Sequence, residues 1–183
     1  MVINGDHCKA VKEVMKAGMD IYLSSPTASF LGLSGHRMRH IEAGEQVQIG
    51  SWVAKAFKAE HDIDGSIGFL LHSTATGERL VYLTDSFYSR YVFQGLTHIM
   101  LEINYDIQTL NENVAAGMVP VELRNRLLRS HFSLENAVKF LRACDLKRVK
   151  GIWVIHSSEG NANWERIKWT IQAATGKPVI MAE

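Results

Sequence analysis

The chain is poor in the residues that staple, punctuate or anchor a protein. Only two of its 183 residues are cysteine, Cys8 and Cys144. They are too few for a disulfide framework and lack metal-binding spacing, so a reducing, cytoplasmic setting is expected. Proline occurs three times, and no internal repeat, linker or low-complexity tract interrupts the chain. No apolar run approaches the roughly 20 residues that cross a bilayer, and the first residues do not form a basic-then-apolar signal, so no membrane partner is expected. Charge of one sign is missing too, with 20 Lys and Arg against 19 Asp and Glu. What remains, 46% apolar and 21% charged residues, suits a soluble chain that buries one sizeable core, and residues 1–183 are expected to form one domain.

The near-zero total conceals an uneven distribution. Residues 1–120 carry 9 Lys and Arg against 13 Asp and Glu, whereas residues 121–150 carry 8 against 3. A local basic segment either meets an anion or solvates a helix face, and charge alone leaves both readings open.

Periodicity gives the order of elements. Val11, Val14 and Met15 between charged neighbours, with Gly18 as a stop, make an amphipathic helix whose first turn lies near Asp6. Residues 19–23 read as a strand, Ser24 to Gly32 as a turn and short helix, and His36, Arg37, Arg39 and His40 as a loop. Val47 and Ile49, then Trp52 to Phe57, form a hairpin leading to His61. Two apolar strands follow, over 65–71 and 80–85, joined by a turn at Thr76-Gly77-Glu78, and a third ends at Glu102. Residues 104–117 read as irregular or helical, Pro120 opens a helix through Arg129, and Ser133 caps another carrying Leu134, Ala137, Val138 and Leu141. A strand runs into His156, a helix carries Trp164, Ile167 and Ile171, and residues 178–181 close with a strand. Alternating helices and strands imply a layered α/β fold.

Several of these strands end on side chains that bind metals. His61, Asp85 and His156 stand at strand ends, and Asp6 and His7 open a helix. Two carboxylates and three imidazoles make a borderline oxygen/nitrogen set of the kind that holds zinc or, less selectively, manganese or iron. Each also has a structural reading: Asp6 as a helix cap, a strand-end His as a satisfied core residue. Spacing leaves both open.

The order of motifs goes further. Gly5-Asp6-His7, His61 before Gly68-Phe69, Thr84-Asp85-Ser86 and Ile155-His156-Ser157 resemble the successive motifs of the metallo-β-lactamase superfamily, in the phosphodiesterase branch that includes ribonuclease Z. His98 to Glu102 is similar to the stretch that carries a buried Glu there, and Ser130-His131-Phe132-Ser133 to its His-x-Ser/Thr motif. The likeness spans nearly the whole chain and is nearest to short phage-type members. It implies an αββα sandwich of mixed sheets and a metal-dependent hydrolase of phosphodiesters acting through a metal-activated water. It also implies one or two zinc ions, with manganese or iron as substitutes. Asp6, His7 and His156 would hold one metal, His61 would serve the other, and Asp85 would bridge. Asp6 would act as general base, His131 would donate to the phosphate or leaving group, and Glu102 would orient His131. Two further histidines of the pattern are replaced by Val2 and Asn4, so the chain reads as one lacking the first strands of the fold. A remnant that binds metal or nucleic acid without turnover is the alternative. The expected partners are a phosphate-bearing substrate, with nucleic acid as one candidate, and a second copy covering exposed sheet edges.

Overall fold

The computed structural model describes residues 9–158 and 160–182. Helix α1 (Val11–Lys16) leads to β1 (Ile21–Leu23), α2 (Ser25–Phe30) and β2 (Met38–His40). Strands β3 (Gln46–Ile49), β4 (Trp52–Lys58), β5 (Ile67–Ser73), β6 (Arg79–Leu83) and β7 (His98–Glu102) follow. Helices α3 (Ile107–Ala115), α4 (Val121–Ser130) and α5 (Leu134–Ala143) precede β8 (Gly151–Ile155), α6 (Trp164–Thr175) and β9 (Val179–Met181).

Strands β3 to β9 form one seven-stranded sheet in chain order. Pairing is antiparallel from β3 to β6 and parallel from β6 to β9, so the sheet is mixed. Hairpin connections allow the first half, and the parallel half needs longer crossovers: a helix-free stretch over 84–97 between β6 and β7, then helices between β7 and β8 and between β8 and β9. Gly68 is required where β4, β5 and β6 meet. A Cβ there would stand 2.6 Å from the Phe57 ring and 3.0 Å from the Tyr82 carbonyl oxygen, closer than real contacts allow.

Alternation sorts the side chains of the sheet onto two faces. Val81, Leu83, Ile99, Leu101, Ile152 and Val154 turn to one face, where Ala137, Phe140 and Leu141 of α5 and Ile167 and Ile171 of α6 bury them. Each such aliphatic side chain contributes about 1.5–3 kcal/mol. On the other face Tyr22 of β1 packs with Phe69 over Ala56 and Ile67. Strands β1 and β2 pair in parallel and are the described part of the second sheet expected of a sandwich. Farther along that face Trp52, Leu80, Met100 and Trp153 line a cavity of about 350 Å³.

One element differs from expectation: β2 lies where the sequence reads as loop. Its three residues hold no alternating pattern. Pairing with β1 forms it, and Arg37 and Arg39 both reach Asp20, at 3.2 and 3.3 Å.

Candidate metal centre

Because β6, β7 and β8 run parallel and in register, with Leu83 opposite Leu101 and Glu102 opposite Ile155, their carboxyl ends share one edge of the sheet. Such edges are where α/β sheets bind ligands. Asp85 follows β6 by two residues, Glu102 ends β7, and His156 follows β8 directly. A fourth group comes from the helical layer. His131 is the residue after α4, its N–H held by the Leu127 carbonyl at 3.1 Å. The cap of α5 is Ser133, whose side chain accepts from the Asn136 N–H, so capping does not occupy His131.

Ligand-competent atoms of Asp85, Glu102, His131 and His156 all lie within 4.8 Å of one another. Glu102 Oε1 organises them: it accepts from His131 Nδ1 at 2.6 Å and from His156 Nδ1 at 2.9 Å. Asp85 Oδ1 is 3.4 and 3.3 Å from the same two nitrogens. The backbone N–H of Ser86 donates to Glu102 Oε2. Asp85 and Glu102 are both fully buried. Two anionic side chains in so dry a place repel each other, and only nearby positive charge makes both ionised forms tolerable. A divalent cation suits the set, which is half carboxylate and half imidazole.

The backbone at the site is held in an uncommon conformation. Asp85 (φ 49°) and His156 (φ 54°) are the non-glycine residues with positive φ among the described residues. The left-handed region costs an L-residue about 1–2 kcal/mol, and it persists where the surroundings over-determine it. Here the segment after Asp85 is fastened by the Glu60 N–H to Ser86 Oγ (2.9 Å) and by Ser86 Oγ to the Tyr88 carbonyl (2.7 Å). Beyond His156, Ser157 Oγ donates to the Ile103 carbonyl at 2.8 Å.

His61 stands beside the four. Its ring meets His131 edge-on with centroids 5.3 Å apart, and its side chain is almost wholly buried. Nδ1 accepts from the Ile63 N–H at 3.1 Å and has the Asp62 carboxylate beside it, Oδ1 at 2.7 Å, while Nε2 is buried with no hydrogen-bond partner among the described residues. Burial holds its pKa below the usual imidazole value, partly opposed by the carboxylates of Asp62 and Asp85. A neutral ring with a bare, buried nitrogen suits a metal ligand. The loop around it, from Lys58 to Ile67, lines a cleft of about 420 Å³ together with Pro26, Glu42 and Ala43.

Of the residues expected at the site, the structure brings His61, Asp85, Glu102, His131 and His156 together. Asp6 and His7 lie outside the described residues. Sequence reasoning gave Asp62 no role and read Arg126 only as part of the basic segment Arg124 to Arg129 that suits a phosphate-bearing substrate, whereas Asp62 touches His61 and Arg126 Nε donates to Asp62 at 3.1 Å. The adjacency of Asp62 to His61 was a visible signal; the approach of Arg126, 64 positions away, was not.

Comparison with known proteins gives the fold a context. No protein-family model matches the chain, and no curated protein matches it. Solved structures do. The metallo-beta-lactamase fold protein YhfI from Bacillus subtilis superposes on 100% of this chain and 72% of its own, with a TM-score of 0.71 and 12% identity. A diphosphatase of the PhnP family covers 97% of this chain and 62% of its own (TM-score 0.57, 14% identity). The short form of human tRNase Z covers 98% and 62% (TM-score 0.51, 17% identity).

Proposed function

We propose that this chain, which has the metallo-β-lactamase fold, is a metal-dependent hydrolase and that its substrates are phosphodiesters. The observation that carries this reading is the convergence of Asp85, Glu102, His131 and His156 within 4.8 Å at the carboxyl edge of the sheet. When bound, a divalent metal such as zinc, or manganese or iron in its place, would lower the pKa of a water toward neutrality and draw charge from a phosphoryl oxygen.

The remaining work falls to the chain's own side chains. Asp85, His156 and His61 supply the candidate ligand atoms, joined by Asp6 and His7 from the undescribed amino-terminal residues. Glu102 accepts Nδ1–H from both His131 and His156, which leaves each ring's Nε2 to act on the far side. His131 Nε2 would then donate to the phosphate or to the leaving oxygen, with Asp6 as general base. Arg124, Arg126 and Arg129 of α4, the helix that ends at His131, favour a polyanion close to the site. A diphosphatase and a tRNase Z among the similar structures act on phosphate-containing substrates, which supports the same class. Binding without turnover is the second reading, favoured by Val2 and Asn4 where the resembled pattern has histidines. We further propose a homo-oligomer, with the apolar sheet face beyond β1 and β2 covered by a second copy.

Elemental analysis after equilibration with zinc, and separately with manganese, tests the centre. At least one tightly held ion per chain is expected, lost in Asp85→Ala and His156→Ala. Hydrolysis of bis(p-nitrophenyl) phosphate by the loaded protein separates catalysis from binding. No retained metal would remove the basis of the hydrolase reading.

A further inference from the structure

The segment that leaves Asp85 returns to β7 over 84–97 without a helix, and its aromatic rings are not all turned the same way. Phe93 is buried, its ring centroid 5.1 Å from that of Phe57 and 6.2 Å from that of Phe140. Phe87 and Tyr88 pack on each other at 4.6 Å, and the Arg90 guanidinium stands over the Tyr88 ring, ion-paired to the buried Glu60 at 2.6 Å. Tyr91 differs. Its ring meets Phe57 edge-on at 5.3 Å, which steadies it, yet the residue stays 40% exposed.

Tyr88 and Tyr91 belong to one wall of a groove of about 310 Å³. The other wall is a single face of α5, with Asn136, Lys139, Phe140 and Ala143 at helical spacing, so the groove runs about 10 Å along that helix. Both walls are fastened next to the candidate centre. Tyr88 lies three residues beyond Asp85, and its carbonyl accepts from Ser86 Oγ at 2.7 Å while the Ser86 N–H donates to Glu102. Asn136 lies five residues beyond His131 and donates through Nδ2 to the Phe87 carbonyl at 2.9 Å.

We propose that this groove is a stacking subsite for an unpaired nucleobase beside the scissile phosphate, which makes the substrate a single-stranded nucleic acid; the inference rests on the phosphodiesterase reading above. A steadied, part-exposed phenol ring offers its π-face to a base of any sequence, and an exposed lysine offers a point charge to the neighbouring phosphate. Tyr91 supplies the ring and Lys139 the charge. A purely apolar ligand would leave Lys139 without a counterion, and a purely ionic one would leave the ring unused.

Binding is tested without turnover, in the presence of a chelator, by fluorescence anisotropy of an end-labelled oligothymidylate and of an abasic phosphodiester chain of equal length and charge. The oligothymidylate should bind about 5- to 100-fold more tightly, the value of one stacked base. Tyr91→Ala should abolish that preference while affinity for the abasic chain is kept, and Tyr91→Phe should retain the preference. Lys139→Ala should weaken both chains alike and lower the dependence of affinity on salt. Equal affinity of the unaltered protein for the two chains overturns the proposal, and so does a preference that survives Tyr91→Ala or is lost in Tyr91→Phe. If the base preference is found in a protein that retains no metal, the hydrolase reading fails and the subsite stands. Retained metal and hydrolysis of bis(p-nitrophenyl) phosphate without a base preference would mean the reverse.

Discussion

Asp85 shows how much the site asks of a single residue. It carries a buried charge beside Glu102 and holds a left-handed backbone, φ 49°, in which Asn is better tolerated than most side chains. Asp85→Asn keeps the shape and removes the charge. Two like charges buried side by side repel, so neutralising one relieves the other. Without metal, chemical denaturation should find Asp85→Asn more stable than the unaltered chain by about 1 kcal/mol. With zinc the order should reverse, because only the unaltered chain gains binding energy. A variant less stable in both conditions would mean that the Asp85 charge is satisfied by the protein alone.

At the scale of elements, Asp106 ties two helices together. It is the N-cap of α3, accepting from the Thr109 N–H at 2.8 Å, and it also accepts from the Asn163 N–H at the start of α6 and from Arg166. Burial pushes its pKa up, but these N–H groups and the guanidinium outweigh it and hold the carboxyl below its ordinary value of 3.8. A depressed carboxyl contributes stability above its unfolded pKa and loses it as pH falls through the folded one. Asp106→Ala should therefore cost about 2–3 kcal/mol near pH 7, and the two denaturation curves should draw together as pH falls below the ordinary carboxylate range. A pH-independent difference would contradict this. From the sequence no cap is read at Asp106: 104–117 reads only as irregular or helical, since its polar run hides the helical period. Helices α5 and α6 were plain because their buried faces recur at helical spacing. Strand β2 was not, because three residues stabilised by a parallel partner and by Asp20 leave no pattern of their own. The same limit applies to the site. Strand-end residues such as Asp85 and His156 stand out along the chain, whereas Arg126 reaches its place only through tertiary packing.

For the whole molecule, the two faces of the large sheet are unequal. Helices α5 and α6 close one, while Trp52, Leu80, Met100 and Trp153 line an open cavity on the other, with Trp52 42% exposed. Apolar patches of this kind mark contact surfaces. Multi-angle light scattering should report a dimer or larger species, and Trp153→Lys should shift it toward monomer; a monomer at all concentrations would leave the face without a copy to cover it. The change from antiparallel to parallel pairing at β6 carries a last consequence, in time rather than space. Strands β3 to β6 meet across short turns and can pair as soon as each is made, whereas β7 and β8 are separated by three helices and must close a long loop before they touch. The candidate centre straddles that later joint, so it comes into being among the last events of folding, after the hairpins that frame it are in place.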